Sequence, residues 1–189
     1  MHAQSDEIYA KYKKLHAYDE ARKLKAEGKI KHFGISFHDK ADVLDMILTE
    51  NPDIEVVQIQ FNYVVYEDPT VQSKACYEVC RKHNKPIIIM EPVKGGNLVN
   101  LPEEAKRIYE DLGEMSPASY ALRFAAGFDG MMMVLSGMSD IAQMEDNLSF
   151  MKDFQPLSSK VKTLFHVQLV VTVWKNVQRT LPFQIYLPA

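Results

Sequence analysis

The run VVQIQFNYVV (56–65), followed after one intervening segment by PIIIM (86–90), decides the fold. Both are short, rich in β-branched residues and bounded by turn formers, so each reads as a strand. PIIIM is bare of polar residues, as expected of a strand covered on both faces. Between the two runs, Val71, Ala75, Cys76 and Val79 recur at helical spacing as far as Asn84, and Pro69 suits a first helical position. A strand, a helix and a strand in that order favour parallel pairing, because the crossover between parallel strands needs a helix.

The alternation continues outward in both directions. IKHFGISFH (30–38) is β-prone, and Asp39 suits the N-cap of a helix carrying Val43, Leu44, Ile47 and Leu48 that stops at Asn51-Pro52. Before it, residues 6–27 hold no Gly or Pro and align Ile8, Tyr12 and Leu15 on one helical face, with Gly28 where a C-cap belongs. Toward the other end, Ser116-Pro117 opens the helix SPASYALRFAAG. MMMVLSG (131–137) reads as a fourth strand with its methionines as core filler, and Ser139 or Asp140 caps IAQMEDNLSFMKDF. The pattern is α/β, with about four strand–helix units in series. A doubly wound dinucleotide fold is disfavoured, since no Gly-x-Gly-x-x-Gly follows any strand. The remaining solution is a partial (β/α)8 TIM barrel, half of the eight units that a closed ring takes. The chain reads as truncated.

Composition narrows the function. The 189 residues carry 22 Lys+Arg against 25 Asp+Glu, a net charge of −3, which leaves no basic stripe for nucleic acid. No apolar run approaches the roughly 18 residues of a membrane span, and MHAQSDEIYA is too polar for a signal peptide. Two cysteines make no disulfide framework, so a reducing, cytoplasmic setting is expected. Cys76 and Cys80, four apart on a helix with no third ligand nearby, read as buried thiols; no metal-ligand set is expected from them or from His32, His38 and His83. Residues 154–189 contain no acidic side chain, and LFHVQLVVTVW (164–174) is strongly β-prone. The ending differs in kind from the rest.

Three segments carry a resemblance. EGKIKHFGISFHD (27–39) is similar to the sequence around the fifth strand of an aldo-keto reductase, and VVQIQFNYV with IIIMEPVKGGNL (87–98) to its sixth and seventh strands. VLSGMSDIAQMEDNL (134–148) resembles the eighth strand and the helix after it. The resemblance covers residues 1–158, the C-terminal half of the barrel, and is closest to the prokaryotic branch with a ferredoxin-like iron–sulfur segment after the barrel. It implies an oxidoreductase that moves hydride between NAD(P)H and a small-molecule carbonyl or alcohol, with a Tyr, tuned by a Lys and an Asp, as general acid and a His polarising the carbonyl. The Asp, Tyr and Lys belong to the first three strands of the family. His2, in Met1-His2-Ala3, matches the His, so the chain alone is expected to be inactive.

The resemblance further implies a cofactor half. Ser36 and Gln58 match the strand-end residues that hold the nicotinamide carboxamide; Phe37 stands where the family often has Asn, and Met90 or Glu91 where a Tyr stacks on the ring. Gly95, Gly96 and Leu98 match the pyrophosphate loop, and Gly137, Met138 and Ser139 the turn at the adenosine phosphate. Gln143, Asp146 and Asn147 match the adenine side of the following helix. No Lys or Arg stands in 137–143, so NADP and NAD both remain open. In the iron–sulfur branch a cysteine cluster should follow residue 158. Shifted by one base, codons permitted for residues 165–189 can spell a C-x2-C-x2-C-x3-C-P run, the pattern that holds a 4Fe-4S cluster. Residues 159–189 are therefore expected to be an aberrant tail, an out-of-frame remnant that binds no cluster because it has no thiolates. The competing expectation is a non-catalytic half barrel that self-associates through its open sheet edges and binds nucleotide or nothing.

Overall fold

Strands β1 (Ile35–Ser36), β2 (Val57–Gln60), β3 (Ile87–Met90) and β4 (Met131–Val134) lie side by side in sequence order and pair in parallel throughout. The computed structural model describes residues 1–113 and 115–165. Between and around the strands run helices α1 (Asp6–Lys14), α2 (Ala17–Ala26), α3 (Ala41–Glu50), α4 (Ser73–Lys82), α5 (Glu103–Glu110), α6 (Pro117–Ala126), α7 (Ile141–Met151) and α8 (Ser159–Leu164), with a 3-10 turn at Lys94–Gly96. Consecutive neighbours without a reversal of strand order mark a section of a barrel wall, since a doubly wound sheet reverses direction at its switch point. The expected partial TIM barrel is what the chain forms. None of the described helices is long and apolar enough to cross a membrane.

Side-chain alternation in the strands explains where the core lies. Val57 and Ile59 on β2 and Ile87 and Ile89 on β3 are buried against Leu44, Ile47 and Leu48 of α3, the thiols of α4, and Phe124 of α6. Their neighbours Gln58, Gln60, Ile88 and Met90 face the other side and are only half-buried. PIIIM is thus covered on one face and not on both, because the described residues form only part of a ring around the inner side. MMMV departs further from expectation. Ile87 pairs with Met131 and Ile88 with Met133, so a bulge sets Met132 out of register. Met132 and Met133 are then 54% and 51% exposed, and neither fills a core. On α7, Ile141 (76% exposed) and Leu148 (60%) carry an apolar stripe that nothing among the described residues covers.

Local chemistry moved three expected boundaries. The helix expected over 6–27 breaks at His16, whose left-handed φ of 52° separates α1 from α2. Asp39 does not cap α3, which starts after Lys40; its carboxylate accepts the Asp6 N–H (2.9 Å) and the Lys40 N–H (2.8 Å). Pro69 opens a turn, not a helix, since Asp68 accepts the N–H groups of Thr70 (2.8 Å) and Val71 (3.0 Å) and α4 begins at Ser73. Asp140 does cap α7, accepting the Gln143 N–H at 2.8 Å.

Gly34 is the position where close approach demands glycine. A β-carbon there would sit 2.4 Å from the carbonyl oxygen of Val56, the residue just before β2. Gly34→Ala is expected to cost about 1–3 kcal/mol, read as a lower denaturant midpoint at unchanged slope. An acid-sensitive tie lies beside it. His32, Lys25 and the Phe33 N–H surround Glu55 and draw its carboxyl from the usual 4.5 down to about 2. The folded-state value lies below the unfolded one, so this stabilisation is full above pH 4.5 and is lost as pH falls toward 2. Glu55→Gln should flatten the acid limb of the stability profile in that window and leave its slope at neutral pH unchanged.

Candidate functional site

The C-terminal ends of the parallel strands share one rim, which is where sites on this architecture are built. Residues Met1–Gln4 lie along the free edge of β1 as one more parallel row. The Ser36 N–H donates to the Met1 carbonyl (2.9 Å), the Gln4 N–H to the Ser36 carbonyl (2.7 Å) and the His38 N–H to the Gln4 carbonyl (2.9 Å). Tyr18 anchors this row from α2 through the buried Gln4 side chain, its hydroxyl donating to Oε1 at 2.9 Å. The row brings His2 to Ser36: Nδ1 stands 2.9 Å from the serine Oγ, which also accepts the Ala3 N–H at 2.7 Å.

Strand register extends the row sideways. Ser36 pairs with Gln58, and Gln58 with Ile88, so Ser36 and Gln58 are direct neighbours. Gln58 Nε2 in turn donates to the Met90 thioether at 3.3 Å. His2, bonded to Ser36, then Gln58 beside Ser36 in register, and Met90, bonded to Gln58, therefore lie in one line across neighbouring rows of the sheet. His38 stands beside it, its ring edge-on to His2 at 6.1 Å, and burial together with His2 keeps its imidazole below the ordinary range.

The loops beyond the strands complete the rim. After β3, Gly95 (φ 61°) and Gly96 (φ 88°) shape the 3-10 turn, and a β-carbon on Gly95 would meet only open space. Leu98 differs from its neighbours: its side chain is fully buried, so it supports the loop from beneath and offers a ligand only backbone. After β4, Gly137, Met138 and Ser139 are exposed, and no internal packing requires a glycine at 137, where the β-carbon direction is also open. The Ser139 N–H donates to Gln143 Oε1 (2.7 Å). Asp146 and Asn147 tie α7 down, Asp146 accepting the Ser116 hydroxyl (2.6 Å) at the start of α6 and Asn147 donating to Ser136 Oγ (3.0 Å). A groove of about 650 Å³ runs between α6, the β4 end and α7.

Two residues outside the sequence expectation belong to this rim. Asn62, buried, accepts the N–H groups of Val64 and Val65 (both 3.1 Å) and donates to the Glu91 carbonyl (2.9 Å), clamping the β2 and β3 loops together. Lys94 stands in the glycine turn with φ 48° and makes no ion pair among the described residues. The Lys-Gly-Gly triplet could have signalled Lys94; nothing in the sequence distinguishes Asn62 from an ordinary turn residue. Tyr63 and Tyr109 offer no proton at the rim, since their hydroxyls bond each other at 3.0 Å inside the core and burial holds both far above the usual tyrosine range.

Comparison with known proteins gives the chain its relatives. The model of the aldo/keto reductase family matches residues 4–164. Among solved structures, it superposes on the holo form of an aldo-keto reductase from Bacillus halodurans (TM-score 0.59, 18% identity, 76% of this chain and 52% of that one). It also superposes on a Klebsiella pneumoniae aldo-keto reductase described in complex with NADPH (TM-score 0.58, 18% identity, 76% and 50%). A Brucella melitensis aldo/keto reductase gives TM-score 0.59 at 19% identity, over 79% and 52%. The chain spans about half the length of these structures. No curated protein matches it.

Proposed function

Because the chain belongs to the aldo/keto reductase family, we propose that it carries the nicotinamide side of an oxidoreductase that transfers hydride between NAD(P)H and a carbonyl or alcohol. The observation that carries this reading is the line from His2 through Ser36 and Gln58 to Met90. Ser36 and Gln58 supply acceptor and donor for a flat carboxamide, and Met90 supplies a soft, polarizable contact for a ring face. When bound, the nicotinamide would supply the hydride. Gly95, Gly96 and Gly137 leave backbone open to a pyrophosphate, and Lys94 adds a cation on that side. Gln143, Asp146 and Asn147 would border the adenosine, with Met138 and Ser139 at its phosphate. NADP is the first choice over NAD, supported by the NADPH complex of the Klebsiella relative.

His2 would donate a hydrogen bond to the carbonyl oxygen. The family's Tyr, Lys and Asp find no match in this chain, so carbonyl reduction by the chain alone is not expected. Titration with NADPH and NADH, followed by cofactor fluorescence, tests this: binding without carbonyl reduction is expected. No binding would overturn the cofactor reading, and turnover would overturn the half-site reading. The buried free thiols Cys76 and Cys80, both raised to about 12 by burial, fit a reducing, cytoplasmic setting. Of the proposed aberrant tail, residues 159–189, the described part forms α8 and the buried Phe165, and the rest of the 4Fe-4S remnant would lie in residues 166–189, outside the described residues. Coding DNA that puts no thymine before the valines of the shifted motif would remove that idea.

The uncovered stripe on α7 favours a second reading, in which two copies of the half barrel associate without chemistry. Light scattering that finds only monomer at micromolar concentration would dismiss it.

A further inference from the structure

We infer that Ser36 is a positioning residue that holds His2 as the Nε2–H tautomer, so that its outer nitrogen is a neutral hydrogen-bond donor. Ala3 adopts a left-handed φ of 51°, which is rare for a residue with a β-carbon, and this kink delivers both its own N–H and the preceding imidazole to one hydroxyl. Ser36 is buried, and its backbone N–H and carbonyl are already spent on Met1 and Gln4.

The hydroxyl has one proton and two lone pairs. One lone pair takes the Ala3 N–H, which can only donate. If Nδ1 of His2 carried a proton, it would fill the second lone pair and leave the serine proton without an acceptor among the described residues. If Nδ1 is bare, the serine proton goes to it and every donor is satisfied. An unmatched buried donor is costly enough to bias the two tautomers by roughly tenfold or more. The proton then sits on Nε2, which has no partner among the described residues. The second lone pair of Ser36 stays free for an amide N–H, so one hydroxyl serves both sides of the site. The ring facing His2 is that of His38.

The relevance to a carbonyl rests on the proposed function, whereas the tautomer itself does not. The test is a long-range ¹H–¹⁵N correlation spectrum of the labelled chain at about pH 8, above the ordinary histidine range, with His2 identified by its loss in His2→Asn. The expected result is a protonated Nε2 and a bare Nδ1. Ser36→Ala should lower that tautomer ratio roughly tenfold, and Ser36→Thr, which keeps the hydroxyl, should restore it. A protonated Nδ1 in the unaltered chain would overturn the inference, as would an unchanged ratio in a folded Ser36→Ala. Should the alanine variant not fold, the ratio in the folded chain is compared with that in the urea-unfolded chain, and an unchanged ratio would overturn the inference. Cofactor fluorescence on the same samples separates the two ideas: loss of NADPH binding with the tautomer intact overturns only the proposed function.

Discussion

Phe61→Ala is expected to lower the stability of the chain by about 3–5 kcal/mol. Phe61 is fully buried just past the end of β2, where its ring meets Phe128 at 5.0 Å, Tyr66 at 5.4 Å, Tyr77 at 5.9 Å and Phe124 at 6.1 Å between centroids. Most of these contacts are edge-to-face or tilted, the arrangement that adds to simple burial. Alanine would leave a void walled by four rings on three different segments, none of which can relax without disturbing the others. Phe61→Leu retains most of the volume and should cost under about 1.5 kcal/mol. Denaturant unfolding of the two variants, compared at equal slope, checks the difference. Equal losses would mean that the cluster is loosely packed.

Asn62→Ala should lower stability by about 2–4 kcal/mol, because it orphans the Val64 and Val65 N–H groups and leaves the Glu91 carbonyl with the Lys94 N–H alone. The amide accepts from Val64 and Val65 and donates to the Glu91 carbonyl, and Glu91 is itself held at φ 55°. Asn62→Asp retains the acceptor and opposes the Glu91 carbonyl with a second acceptor, so it should destabilise too while preserving the turn. Both variants loosen the segment that carries Met90 and Lys94. Under the proposed function they should weaken NADPH binding more than their loss of stability alone explains. A folded Asn62→Ala that binds the cofactor unchanged would remove Asn62 from the site.

Parallel pairing was legible because PIIIM and VVQIQFNYVV carry enough β-branched residues to declare themselves, and because helical spacing lies between them. Only Val57–Gln60 of the longer run is strand; the rest is a buried turn whose apolar residues look no different in sequence. His16 and Gln72 break helical patterns through left-handed backbone, a conformation their side chains do not announce. Ser36, Gln58 and Met90 stand far apart in sequence; parallel register makes Ser36 and Gln58 neighbours and a side-chain hydrogen bond joins Gln58 to Met90, and spacing along the chain reveals neither. Asp146 and Asn147 were read for a ligand, and the structure bonds each to its own scaffold. Hydrogen bonds that join distant segments are what one-dimensional reading cannot supply.

Met138, Met144 and Met151 line one groove beside α7, and the bulge on β4 leaves Met132 and Met133 exposed as well. Thioethers in water are the ones peroxide reaches first, and each sulfoxide replaces a greasy contact with a polar one. Oxidative ageing should therefore fall on these methionines first and spare half-buried Met90, so that the groove beside α7 turns gradually more polar in a stored sample.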